Sequence, residues 1–222
     1  MRESRAGGVW IKICGITTRE AALACAEAGA DAVGFVFAES RRRITPGEAK
    51  RITEILPPDL EKVGVFVDAP WQEVAEIQEY LRLDVLQLHG GENPDYCALF
   101  PVKVIKAFRV ASLKDLQAVE AYRDRIHACL LDSCVPGAQG GTGKVWDWGF
   151  FERLTRSGVL SVERVIVAGG LTPENVVEAL RVTKPYGVDT SSGVETGGRK
   201  DLLKIRKFIE NVRRWERGEL AG

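Results

Sequence analysis

The 222-residue chain predicts a (β/α)8 barrel of the TIM type, eight parallel strands ringed by outer helices in a single domain over residues 1–222, on three observations. Eight short apolar, β-branched runs alternate with longer stretches whose apolar residues recur at helical spacing. The starts of those runs lie roughly 18 to 37 residues apart, the length of one strand–helix unit. Several runs, AVGFVF, KVGVFV and RVIVAGG among them, are continuously apolar, which suits strands buried on both faces of a parallel sheet. The length sits at the short end of that fold's range. A doubly wound open sheet is the other arrangement the same periodicity allows.

In chain order, a strand over Val9–Cys14 leads to a helix over Arg19–Ala28. Ala32–Phe37 leads to Gly47–Leu56, opened by Thr45-Pro46, a cap residue before a proline in the first turn. Lys62–Val67 precedes a helix over Trp71–Leu81, and Val85–Leu88 precedes one over Pro94–Phe100. Lys103–Phe108 is followed by Leu113–Ala121, and His127–Leu131 by Trp148–Arg156. Arg164–Val167 leads to Pro173–Val182, where Thr172-Pro173 repeats the capping signal, and Gly187–Asp189 leads to Asp201–Arg214. Met1–Gly8 and the tail after Trp215 are expected to fray.

Lys+Arg and Asp+Glu both number 31, so the formal net charge is zero, which argues against a nucleic-acid binder or an anionic-membrane partner working through a basic surface. Any anion must be held locally. The longest apolar runs, such as Ala32–Ala38, are far short of a membrane span, and no signal-peptide pattern opens the chain. Five cysteines (Cys14, Cys25, Cys97, Cys129, Cys134) show no paired spacing and read as reduced thiols of a cytoplasmic protein, with no zinc site among them.

In a barrel the site lies at the C-terminal ends of the strands. Cys14, ending the first strand before Gly15, is either a small core residue or a sulfur at the mouth able to act as a base. Asp132, after Leu130-Leu131, is either a loop cap or a catalytic carboxylate. The glycine-rich stretch Pro136–Lys144 lacks the phosphate-loop pattern, with Ala138 and Val145 where glycine and a hydroxyl residue are required, and is expected to be a mobile active-site loop. Gly169-Gly170 and Ser191-Ser192-Gly193 follow the last two strands, the recurrent phosphate position of this fold, and are expected to offer backbone amides to an anion. Arg41, Arg42 and Arg43 form either a solvated charge run or a source of one fork for a substrate carboxylate. His89 ends the fourth strand and reads as a structural or substrate-orienting residue. No second histidine stands at metal-ligand spacing, so no metal is expected.

These stretches resemble the phosphoribosylanthranilate isomerase family of tryptophan biosynthesis from Val9 to about Ile209. The matching segments are KICGIT (Lys12–Thr17), GADAVGFVF (Gly29–Phe37), SRRRIT (Ser40–Thr45), VGVFVD (Val63–Asp68), LQLHG (Leu86–Gly90), LLD (Leu130–Asp132), GGTGKVWDW (Gly140–Trp148), AGGLTPENV (Ala168–Val176) and VDTSSGVET (Val188–Thr196). The resemblance implies a cofactor-free Amadori rearrangement of a small phosphoribosyl substrate by a monomer or homodimer. An acid protonates the furanose ring oxygen, and a base then takes the C2′ proton. It further implies Asp132 as acid, Cys14 as base, Arg42 at the anthranilate carboxylate, Asp189 near the substrate amine, and phosphate on amides of Gly169, Gly170, Ser191 and Ser192. Asp132 would need a desolvated setting and Cys14 nearby positive charge. Thr190, where the family often has an apolar residue, is a mild departure.

Two other readings differ in class. A histidine-pathway aminoaldose isomerase typically uses two aspartates, against which Cys14 argues. A non-catalytic sugar-phosphate-binding barrel could have lost Cys14 or Asp132, and both are present.

Overall fold

The computed structural model describes residues 8–110, 117–133 and 164–220. Its strands are β1 (Trp10–Cys14), β2 (Ala32–Val36), β3 (Glu61–Phe66), β4 (Val85–Leu88), β5 (Lys103–Val110), β6 (Ala128–Ser133), β7 (Val165–Ala168) and β8 (Gly187–Thr190). They pair in chain order, all parallel, and β8 closes on β1. The barrel, not the open sheet, is the architecture. At the closing seam Trp10 stands opposite Gly187 and Lys12 opposite Asp189. A side chain at Gly187 would press on the Trp10 carbonyl at 2.7 Å, so the seam needs a glycine.

The helices are α1 (Arg19–Ala28), α2 (Pro46–Thr53), α3 (Trp71–Leu81), α4 (Pro94–Cys97), α5 (Gln117–Glu120), α6 (Val176–Thr183) and α7 (Leu202–Glu216). Thr45 caps α2 as expected: its side chain accepts the Glu48 N–H while Glu48 accepts from the Thr45 backbone, a reciprocal box that contributes about 1 kcal/mol. A short antiparallel hairpin, β9 (Glu195–Thr196) and β10 (Arg199–Lys200), follows β8.

Alternation along the strands divides the core in two. Ala32, Val63, Val85, Ile105, Ala128, Leu130 and Ile166 fill the barrel interior. Ile11, Ile13, Val33, Phe35, Leu86, Leu131 and Val188 pack outward against Phe208, Ile209, Val74 and their neighbours on the helices. On β1 this puts Lys12 and Cys14 on the interior side.

Four expectations are corrected. β6 runs past Leu131 because β5 itself extends to Val110, so Asp132 is a strand residue between Arg109 and Ala168, not the first residue of a loop. Thr172 does not cap α6. Its hydroxyl accepts the Glu174 N–H at 3.2 Å, Asn175 accepts the Thr172 N–H at 2.8 Å, and the helix starts at Val176. α4 stops at Cys97, short of Phe100, since Phe100 precedes Pro101 and is biased away from helical geometry. α2 likewise ends at Thr53, ahead of Pro57-Pro58. The expected helix Trp148–Arg156, the glycine-rich loop 136–144, most of Met1–Gly8 and the first residues of Leu113–Ala121 lie outside the described residues.

Candidate active site

Cys14 closes β1 and is buried. Directly after it Gly15 takes a φ of 76°, and the amides of Gly15 and Ile16 both donate to the Gly34 carbonyl at 2.9 Å. That turn holds the end of β1 against β2. Gly34 stands opposite Cys14 in the ladder, and a Cβ there would lie 3.0 Å from the Cys14 sulfur and 3.2 Å from Lys12 Cε. The missing side chain makes room for a thiol and an ammonium stem side by side. Lys12 is fully buried, and its Nζ donates to Asp189 at 2.8 Å across the closing seam.

The three groups share one electrostatic balance. Burial pushes the Cys14 thiol above its usual range, Lys12 and Lys200 pull it back, and Asp189 reinforces the rise. Burial alone would lower Lys12, but the Asp189 carboxylate and the Cys14 sulfur outweigh it and hold the ammonium above its usual value. Nearby positive charge was expected at Cys14, and Lys12 is its main source. The remaining described thiols are ordinary core groups: burial pushes Cys25 and Cys129 up to about 12 and Cys97 to about 11.

Asp132 and His89 meet at the mouth, with Nε2 of the histidine 3.6 Å from a carboxylate oxygen. The Gln87 amide lies 3.1 Å from His89 Nδ1. An amide N–H donating there leaves the ring proton on Nε2, facing the carboxylate. The Asp132 side chain is 32% exposed, so the fully desolvated setting expected for it is not present among the described residues. Beside His89 a cavity of about 450 Å³ is lined by Asp68, Phe108, Arg109 and Tyr122, a volume within the range of small-molecule sites. Lys106, which also lines it, lies 3.2 Å from the buried Glu92, which accepts the Asp68 and Gly90 N–H groups at 2.9 Å each.

After β7, Gly169 and Gly170 both have positive φ, 89° and 67°. The loop after β8 is locked against this turn. Thr190 donates to the Leu171 carbonyl at 2.6 Å, and a Cβ on Gly193 would overlap that same carbonyl. Thr190 thus has a structural task. Ser191 donates to the Cys14 carbonyl at 3.0 Å, joining the β8 loop to the end of β1.

Of the three arginines, Arg42 turns toward β1. Its stem lies over Gly15, where a Cβ would fall 2.5 Å from Arg42 Cδ. Its guanidinium forks onto Glu195, Nε at 2.6 Å and Nη2 at 3.0 Å. Arg41 is half exposed and also reaches Glu195, at 2.9 Å.

Cys14, Asp132, Arg42, His89, Asp189, Gly169, Gly170, Ser191 and Ser192 all stand at the same end of the barrel. Like Asp132, Asp189 has a setting that differs from expectation, since its carboxylate is already paired with Lys12. Lys12, Glu195 and Lys200 were missed. The signal for Lys12 was a lysine two residues before Cys14 inside an apolar strand. Glu195 gave none, because its partner Arg42 is distant in sequence.

Residues 11–211 match the family model described as N-(5'phosphoribosyl)anthranilate (PRA) isomerase. A Trichlorobacter lovleyi protein named N-(5'-phosphoribosyl)anthranilate isomerase is 49% identical over 205 residues, 91% of this chain and 97% of its own. The crystal structure of phosphoribosyl anthranilate isomerase from Thermotoga maritima superposes with a TM-score of 0.84 at 40% identity, covering 92% of this chain and 98% of that one. A phosphoribosyl anthranilate isomerase in complex with reduced 1-(o-carboxyphenylamino)-1-deoxyribulose 5-phosphate gives a TM-score of 0.80 at 39% identity, with 92% and 98% covered.

Proposed function

The chain belongs to the N-(5'-phosphoribosyl)anthranilate isomerase family, and on that premise we propose how its barrel mouth performs the reaction. The protein isomerises N-(5-phosphoribosyl)anthranilate to 1-(2-carboxyphenylamino)-1-deoxyribulose 5-phosphate in tryptophan biosynthesis. One observation carries the assignment of roles: Cys14 and Asp132 stand on strands well separated around the ring, with the glycine and serine turns of β7 and β8 between them. A sugar phosphate anchored at those turns presents its ring to both groups.

Asp132 gives its proton to the furanose ring oxygen. The C1′–O bond breaks, and the nitrogen lone pair closes a Schiff base. A bound substrate covers the Asp132 carboxyl and supplies the dry surroundings that the open mouth lacks. Cys14 then takes the C2′ proton as a thiolate, and the resulting enolamine tautomerises to the ketone. Burial holds the thiol above its usual range, and Lys12 is the largest charge that favours the thiolate this step needs. His89 orients Asp132, and Asp189 holds Lys12 beside the substrate amine. Amides of Gly169, Gly170, Ser191 and Ser192 receive the phosphate, with Lys200 behind Ser191 at 2.8 Å. A cytoplasmic setting is supported by the four described cysteines, all free thiols.

The Arg42 fork meets the anthranilate carboxylate. Arg42→Ala is expected to raise KM roughly tenfold or more, with kcat changed much less, because a charge-assisted contact made equally in ground and transition states is lost. Steady-state kinetics check this, and an unchanged KM moves the carboxylate contact elsewhere.

Lys12→Met removes the largest charge that favours the thiolate and leaves Asp189 unpaired beside it. Both changes push the thiol further up. The rising limb of kcat/KM should therefore move to higher pH, with the rate at neutral pH falling accordingly. Breaking the buried pair also destabilises the barrel by about 3–5 kcal/mol, so the profile is taken well below the unfolding temperature. An unmoved limb removes Lys12 from the base.

A further inference from the structure

Glu195 is a carboxylate at the barrel mouth that no step above uses. Its side chain is 5% exposed and is met by three cations: Arg42 through Nε and Nη2, Arg41 at 2.9 Å and Lys200 at 2.9 Å. The hairpin fixes where it stands. Gly197 and Gly198 both have positive φ, 58° and 79°, the two-residue turn whose twist matches paired strands, and this sets Glu195 directly opposite Lys200. The hairpin is in turn tied to α7, because Lys204 donates to the Glu195 carbonyl at 2.8 Å and Asp201 receives the Thr196 hydroxyl at 2.8 Å. Burial would raise the Glu195 carboxyl, but the hydrogen bonds and charges of Arg42 and Lys200 hold it below the usual range, so it remains an anion.

We propose that Glu195 is the positioning residue that presents Arg42 to the substrate carboxylate and thereby selects substrates that carry one. This deepens, and rests on, the carboxylate assignment of Arg42 made above. The geometry decides between holding and competing. Glu195 takes the side edge of the guanidinium, Nε with Nη2, which leaves the Nη1 and Nη2 end for a second carboxylate. The arginine stem is seated on Gly15, directly after Cys14. Leaving Glu195 would therefore unseat Arg42 from the site; staying aims its open end across the mouth. With Lys200 and Arg41 also present, the cluster keeps a net positive charge after Glu195 is counted, as an anionic substrate requires.

The experiment measures kcat and KM for Glu195→Gln, Glu195→Asp and Arg42→Ala on two substrates. One is the phosphoribosyl anthranilate, and the other is the same amine made from aniline, which lacks the carboxylate. Glu195→Gln is expected to raise KM for the anthranilate substrate about tenfold, leaving kcat within a few-fold and KM for the aniline substrate unmoved. Glu195→Asp, which keeps the charge but shortens the reach, should show a smaller rise, and it decides the matter if the glutamine variant does not fold. Equal KM increases on both substrates mean a structural role only and overturn the proposal. A fall in KM means that Glu195 competes with the substrate, and overturns it too. A raised KM in Arg42→Ala with Glu195→Gln unchanged sinks the positioning role alone, whereas no effect of Arg42→Ala sinks the carboxylate assignment and the proposal with it.

Discussion

Cys14→Ser is expected to leave the barrel folded, KM within a few-fold of its starting value, and kcat lowered by roughly 10²–10⁴, the range for losing a positioned general base. The substitution keeps the shape. Cys14 enters the β1–β2 ladder only through its backbone, and the space beside Gly34 that admits a sulfur also admits an oxygen. What changes is basicity. A serine hydroxyl is a far weaker acid than a thiol even beside Lys12, so on the proposed mechanism the C2′ proton loses its acceptor. Among the described residues no other thiol compensates, since burial holds Cys25 and Cys129 at about 12 and Cys97 at about 11, all three packed in the core. Loss of the anthranilate fluorescence of freshly generated substrate reports turnover directly. Near-normal turnover would remove Cys14 from the mechanism.

Asp132→Asn should produce a fall in kcat of comparable size for a different reason. The amide is isosteric and occupies the same ladder position between Arg109 and Ala168, so folding should be unaffected. It cannot deliver a proton to the ring oxygen. Residual turnover should then follow unassisted opening of the sugar. Phosphate and product-analogue affinity should hold, because the turns of β7 and β8 do not depend on the carboxylate. Retained turnover would mean that another group, such as His89 at 3.6 Å, protonates the ring.

How far such roles can be read from residues alone depends on the range of the interactions that create them. The barrel was legible because each buried strand is a local apolar run, and its β-branched side chains speak for themselves. Cys14 and Asp132 stood out as candidates because a polar residue ending such a run is conspicuous, while the roles proposed for them came from the family resemblance. Boundaries set by neighbours were not: β6 gained Asp132 from its ladder with β5, and α6 lost its first turn to side-chain bonds among Thr172, Glu174 and Asn175. The hairpin at Gly197-Gly198 carried a readable two-residue turn signal, hidden by how short its strands are. The contacts made by Lys12 and Glu195 were illegible for a deeper reason. Lys12 meets Asp189 across the closing seam, and Arg42 meets a carboxylate more than half the chain away. No local pattern encodes either contact.

The most direct test of the central claim, that Cys14 takes the C2′ proton while Asp132 opens the ring, is the kinetic isotope effect with substrate deuterated at C2′. It is measured on the unaltered enzyme, on Cys14→Ser and on Asp132→Asn. The assignment predicts that the effect grows to its full intrinsic size in Cys14→Ser, where abstraction limits the rate, and shrinks toward unity in Asp132→Asn, where ring opening limits it. The reverse pattern, or an effect unchanged in both variants, would contradict the roles given to these two residues.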